Sequence, residues 1–229
     1  MDIQLFYVDE GSGFPIILLH GNGESSDYFV HQIDYFSGNY RVIAVDTRGH
    51  GRSPRGMAEF SIGQFAEDLK AFMDQLSIPR AVILGFSDGA NIAMKFALKY
   101  QERVAALILN GGNLDSGGVK VSVQIPIEIG YRISGLFAGK SEEAKRHMEL
   151  LGLMVKDPNI AAEELKGIRV PTLVIAGTKD MIREDHTRRI AEGIAESELK
   201  IIPGSHFVAN KEPEAFNEAV NAFLNKLDL

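Results

Sequence analysis

Short, near-continuous apolar runs alternate along this chain with stretches in which apolar residues recur every three or four positions. The runs at 15–19, 41–45, 81–84, 105–109, 172–176 and 199–202 predict strands. They lack polar alternation, so both faces must be buried, the condition of a mostly parallel sheet covered by helices on either side. Residues 3–8 predict a further, antiparallel strand. Ser61 with Gln64 three positions on reads as a capping box, and Ile62, Phe65, Leu69, Phe72, Met73 and Leu76 follow at helical spacing. At the C-terminus Pro213 suits a first helical turn, and Phe216, Ala219, Val220, Phe223, Leu224 and Leu227 line one face. The pattern predicts an α/β fold, a twisted sheet with helices on both faces.

The rhythm breaks over residues 113–167, between the core segments 1–112 and 168–229. This stretch holds Gly117-Gly118, Pro126, a helix capped by Ser141 and reaching about Val155, and a short helical pattern at 159–165. From Val119 to Ile133 every second residue is apolar or aromatic, which formally argues a strand. Pro126 and Gly130 argue against a central strand. The reading adopted is a small, mobile, mainly helical lid, inserted after the sixth strand, whose apolar residues face a substrate pocket.

At 229 residues the chain suits one domain that buries roughly 70–75% of its unfolded surface. Its 24 basic and 31 acidic residues give a net charge of -7 without a basic cluster, which argues against a nucleic-acid partner. The absence of cysteine excludes disulfides, thiolate metal sites and cysteine nucleophiles, and Met1-Asp2-Ile3-Gln4 lacks the marks of a signal peptide. No apolar run approaches the ~20 residues that span a bilayer. These features lead to the expectation of a cytoplasmic protein acting on a small molecule.

Gly85-Phe86-Ser87-Asp88-Gly89 is a GxSxG pentapeptide between a predicted strand and a predicted helix. A serine on such a tight turn is held in a strained backbone that lifts its hydroxyl above the sheet edge, with unpaired amides at the helix start beside it. Serine is a poor nucleophile unless a histidine takes its proton and a carboxylate orients that histidine. Among six histidines, His206 follows the last strand and can reach back over the sheet edge. His31 and His147 lie in helical patterns, His186 opens a charged helix, and His20 ends a strand where it would pin the following loop. Asp180 and Asp115 both follow strands and compete for the role of acid.

The order serine, acid, histidine, with His20-Gly21-Asn22-Gly23, Asp46-Thr47-Arg48-Gly49-His50-Gly51-Arg52-Ser53 and Gly85 to Gly89 in this spacing, resembles the α/β-hydrolase family over almost the whole chain. The resemblance implies Ser87 as nucleophile, His206 as base, Asp180 as orienting acid, and an oxyanion hole from the backbone amides of Asn22 and Asp88. It implies neither metal nor cofactor. The Asp46 to Ser53 turn is expected to be architectural, and the hairpin strand with which family members commonly start is missing here. Asp88 and Met181, beside nucleophile and acid, are candidate substrate contacts. The sharper reading of Asp88 has its carboxylate facing the cleft and favouring substrates with an amine.

The implied reaction is cleavage of an ester-type bond through an acyl-enzyme. Thioesterases, carbon–carbon bond hydrolases and lyases using the same triad remain alternatives, as does a small-molecule receptor that keeps the triad for binding.

Overall fold

A computed structural model describes residues 1–227 and 229. Among these, one sheet holds seven strands: β1 (Tyr7–Glu10), β2 (Pro15–Leu19), β3 (Arg41–Val45), β4 (Ala81–Phe86), β5 (Val104–Asn110), β6 (Thr172–Lys179) and β7 (Ser197–Ser205). Their spatial order is β1-β3-β2-β4-β5-β6-β7. β1 is antiparallel to β3, and every other neighbouring pair is parallel. The helices are α1 (Val30–Phe36), α2 (Ile62–Gln75), α3 (Asp88–Lys99), α4 (Val121–Phe137), α5 (Glu142–Lys156), α6 (Glu184–Gly193), α7 (Val208–Lys211) and α8 (Pro213–Leu224).

Alternate residues of each strand enter opposite halves of the core. Ile17, Leu19, Ile83 and Leu107 pack with Phe65, Leu69 and Phe72 of α2 and with Ala93 and Phe96 of α3. Ile16, Leu18, Leu84 and Ile108 pack with Phe36 of α1 and with Phe216, Val220 and Phe223 of α8. This explains the unbroken apolar runs of the central strands, neither face of which meets water, whereas the edge strands β1 and β7 carry exposed residues. Burial of each large side chain contributes about 1.5–3 kcal/mol, which makes this double layer a rigid base for the loops above it.

Three local expectations change, and one ambiguity between strand and helix is resolved. The N-terminal strand is Tyr7–Glu10 rather than 3–8, because Asp2 is drawn off the sheet by Arg48 (Nη2 to Oδ1, 2.6 Å) and by the amides of Met57 and Ala58. Only half of the capping box forms. Ser61 Oγ accepts from the Gln64 amide at 3.2 Å, but the Gln64 side chain turns to Asp68 Oδ1 at 3.1 Å. Counted along the chain, the insertion follows the fifth strand, β5, not the sixth. Finally, the alternating segment is helix α4, with Pro126 inside it. Its period-2 pattern, sampled every fourth residue, is also helical: Val121, Ile125, Ile129 and Ile133 share the outer face, each more than half exposed. Tyr131 and Gly130 face α5, where they meet Gly152 and Leu151.

Candidate active site

Ser87 alone connects β4 to α3. Its φ of 53° and ψ of -118° lie in a region that L-residues rarely occupy, a strain on the order of 1–3 kcal/mol. A Cβ at Gly89 would collide with the Leu19 carbonyl oxygen, so glycine alone lets the first turn of α3 lie against the end of β2. The backbone of Ser87 is pinned at both ends: its amide donates to Asn110 O at 2.8 Å and its carbonyl accepts from Ala90 N at 2.9 Å. The amide of Asp88, at the first helical position, has no intrahelical acceptor. Among the described residues neither it nor the Asn22 amide donates to any protein group.

Asp180 and His206, the candidate acid and base, are placed by strand register. Lys179 of β6 pairs with Ser205 of β7, so the next residues, Asp180 and His206, leave adjacent strand ends side by side. His206 Nδ1 lies 2.6 Å from Asp180 Oδ1, with both residues 4% exposed. An ionised carboxylate can only accept, so this contact puts the ring proton on Nδ1 and leaves Nε2 basic. Burial would raise the Asp180 carboxyl, but the His206 N–H and the amides of Ile182 and Gly177 outweigh it and hold Asp180 below the ordinary value. The imidazole packs against Phe86 with centroids 4.8 Å apart, and Gly111, at φ 63°, leaves room that a Cβ would take from the ring. Among the described residues His206 Nε2 makes no hydrogen bond, and it is not one of the side-chain atoms sealed from solvent. Ser87 and His206 are not joined by a hydrogen bond; such contacts often tighten only when substrate binds.

The remaining candidates separate cleanly. His20 Nε2 accepts from the Thr47 amide at 3.0 Å while Nδ1 contacts Gly21 O at 2.7 Å, so this histidine pins the loop carrying Asn22. His186 is buried and accepts from Leu114 N at 2.9 Å, and burial lowers its pKa. His31 and His147 are exposed. Asp115 accepts from Gly117 N at 2.7 Å and makes no hydrogen bond to His206. The Asp46 to Ser53 turn is architectural: Asp46 takes the amides of Ser26 (2.6 Å) and Arg52 (2.8 Å), and Ser53 Oγ donates to Asp46 O at 2.7 Å.

Residues 15–128 match the profile of a family described as alpha/beta hydrolase fold. The chain is 32% identical to a 2-hydroxy-6-oxononadienedioate/2-hydroxy-6-oxononatrienedioate hydrolase of Paraburkholderia phymatum, over 84% of its own length and 65% of that relative's. It is 26% identical to 3-oxoadipate enol-lactonase 2 of Acinetobacter baylyi, over 99% and 95% of the two chains. A thermophilic esterase from Thermogutta terrifontis superposes with a TM-score of 0.83 at 23% identity, covering 98% of this chain and 94% of that one. The chain belongs to the α/β-hydrolase fold family.

Within this α/β-hydrolase fold, Glu24, Asn91 and Lys120, which no motif marked, gather around the candidates Asn22, Asp88 and Met181. Asp88 does not face the cleft as an open anion. It is 7% exposed and accepts from Asn22 Nδ2 at 3.0 Å and from Asn91 Nδ2 at 3.3 Å. Burial pushes its carboxyl up to about 6, against the pull of those two donors. Burial likewise pushes Glu24, whose Oε2 takes the Gly21 amide at 3.3 Å, up to about 7. Met181 is half-buried, its carbonyl accepting from Lys120 N at 2.9 Å, while Lys120 Nζ reaches Asp180 O at 2.5 Å. Of Glu24, Asn91 and Lys120, only Asn91 left a sequence trace, because three positions from Asp88 on a helix is one face.

Two clefts, of 440 and 490 Å³, lie between α5 and the loop from Gly49 to Ser61, on either side of a bidentate Arg55–Glu149 pair (2.9 and 2.8 Å). Neither is lined by Ser87, Asp180 or His206. Among the described residues no group of three or more His, Asp or Glu side chains is gathered to hold a metal ion. No described helix is long and apolar enough to cross a membrane.

Proposed function

We propose that this chain is a serine hydrolase that cleaves an ester-type bond, lactones included, in a small molecule. The observation that carries the reading is the elbow: Ser87 is strained into a half-buried turn, two amides without acceptors flank it, and a buried His206–Asp180 pair lies at the adjacent strand ends. Ser87 Oγ attacks the carbonyl carbon as His206 Nε2 takes the hydroxyl proton. The developing oxyanion is received by the amides of Asn22 and Asp88, each contributing roughly 2.7–4 kcal/mol to the transition state. Collapse breaks the bond to the leaving oxygen, which takes the proton from His206. Water, deprotonated by the same histidine, then releases the acid and restores Ser87.

A carbon–carbon bond hydrolase is the second reading, favoured by the relative at 32% identity whose named substrate, a 2-hydroxy-6-oxo-dienedioate or -trienedioate, contains no ester bond to hydrolyse. The helical insertion α4–α5 acts in either case as the lid that shapes the acyl pocket, with Met181 at its root as a substrate contact. Purified protein is assayed on nitrophenyl esters of increasing acyl length, lactones and vinylogous diketones, with a fluorophosphonate probe alongside. Ester or lactone turnover with labelling at Ser87 is expected. Labelling with turnover on diketones alone favours the second reading, and binding of small molecules without any turnover points to a receptor.

A further inference from the structure

Asp88, the residue after the nucleophile, is the centre of a polar chain that runs from the middle of α5 to the first residues of the insertion. Asn22 uses both protons of its side-chain amide, one on Asp88 Oδ2 at 3.0 Å and one on the Leu150 carbonyl of α5 at 2.7 Å. Both partners only accept, which settles the orientation of the Asn22 amide. Asn91 likewise donates to Asp88 Oδ1 at 3.3 Å and to Asn113 Oδ1 at 3.0 Å. Asn113 returns its own amide to Asn91 Oδ1 at 2.9 Å and donates from Nδ2 to Asp115 O at 2.9 Å. The chain therefore ends on backbone at both extremities: α5 on one side and the first residues of the insertion on the other.

We infer that Asp88 is a positioning residue: its carboxylate holds the Asn22 loop against the elbow and, through the same asparagine, ties α5 to the oxyanion hole. This rests on the serine-hydrolase reading above. The chemistry of the chain demands the acid. Two amide groups donate to position 88 at once, and only a side chain that accepts at both oxygens satisfies them. An asparagine there could satisfy one and would set its own N–H against the other. In a buried site an unmade or opposed hydrogen bond displaces the groups around it, and a shift on the order of 1 Å in a catalytic group lowers turnover about 10²-fold. The coupling also runs outward, because any movement of α5 pulls on Leu150 O and hence on the residue whose amide faces the oxyanion.

Among the described residues Asp88 has no lysine or arginine partner. The groups that bear on it are Asn22 from the loop after β2, Asn91 on its own helix, Asp157 following α5, which pushes its pKa up, and His206 beyond β7, which pulls it down. Protonation removes one acceptor, so the strut slackens at the acidic end of the neutral range.

Asp88→Asn and Asn22→Ala test this, the second leaving the backbone amide of residue 22 in place. Kinetics on an ester are measured from pH 5 to 8 and hydrogen exchange of α5 is followed, with Ser87→Ala as control. Both variants are expected to lose roughly 10- to 100-fold in kcat with little change in KM, and to speed exchange around Leu150 while remaining folded. The reversed pair Asp88→Asn with Asn91→Asp restores donor against acceptor and is expected to recover part of kcat. Unchanged α5 exchange in both variants overturns the proposal whatever the kinetics. So does a wild-type kcat across the pH range when Ser87→Ala is inactive. If Ser87→Ala retains turnover, the hydrolase reading falls while the exchange measurement still decides the strut.

Discussion

Two buried polar clusters sit on loops at the same end of the sheet and solve the problem of a buried charge in opposite ways. Around Arg48, two acids surround one base. Its five N–H groups all find acceptors: Asp68 Oδ2 and Oδ1 (2.7 and 2.8 Å), Asp2 Oδ1 and Oδ2 (2.6 and 3.2 Å) and Arg55 O (3.0 Å). Around Asp88, no base is in contact and only neutral amides hold the charge. The first arrangement is indifferent to pH across the neutral range and builds the fold. The second leaves a carboxyl near 6, poised to change state where the enzyme works. Full ionic compensation marks a structural cluster here, and dipolar compensation marks the one beside the chemistry.

The largest effect that would sharpen this contrast is catalytic. Ser87→Ala is expected to lower kcat on an ester about 10⁶-fold, and Asp180→Asn about 10⁴-fold by releasing the His206 tautomer, with the urea midpoint nearly unchanged in the first. Retained wild-type kcat in Ser87→Ala on a substrate the parent hydrolyses would sink the assignment. The structural cluster responds the other way. Arg48→Met strands Asp68 in the core and should destabilise the protein by about 3–5 kcal/mol in urea unfolding, with kcat of the folded fraction little changed; a loss below about 1 kcal/mol would remove the distinction drawn above.

Asp88→Asn sharpens the same comparison through pH. The folded-state pKa of Asp88 is raised from 3.8 to about 6. A raised pKa means its contribution to stability is fully present below 3.8 and is lost as pH rises through about 6, so the ionised strut is held at an energetic disadvantage. The gap in unfolding free energy between variant and parent should therefore shift toward the variant by on the order of 3 kcal/mol between pH 4 and 7, then level off. A gap independent of pH would show that Asp88 is not ionising in this window. The smallest effect belongs to Asp115→Asn, a turn acid whose side chain lies outside both clusters, which should alter kcat less than about threefold; a loss matching Asp180→Asn would reopen the choice of acid.

Much of the fold was legible because the strands are buried on both faces and advertise themselves as apolar runs. What was harder to read followed from partners distant in sequence. Ser205 lies in the extended end of β7 only because Lys179 pairs with it, and that same register chooses Asp180 over Asp115, two acids that look equivalent past their strands. The first strand was displaced by Asp2, whose attraction to Arg48 spans 46 residues. The candidate nucleophile, acid and base could be named from local motifs and their order, whereas the strut could not. Asn22 meets Asp88 across 66 residues and Leu150 across 128, and neither separation leaves a periodic trace. Helix α4 was ambiguous because an apolar residue at every second position satisfies a strand and a four-residue helical repeat alike.

The backbone at Ser87 also narrows which side chains this position can ever hold. With φ at 53°, a residue branched at Cβ meets its own main chain. Threonine, which offers the same hydroxyl, is shut out by shape, while cysteine, unbranched and different in chemistry, fits. Mutational drift at this turn is thus steered by geometry: the step that preserves the functional group is closed, and the step that replaces it is open.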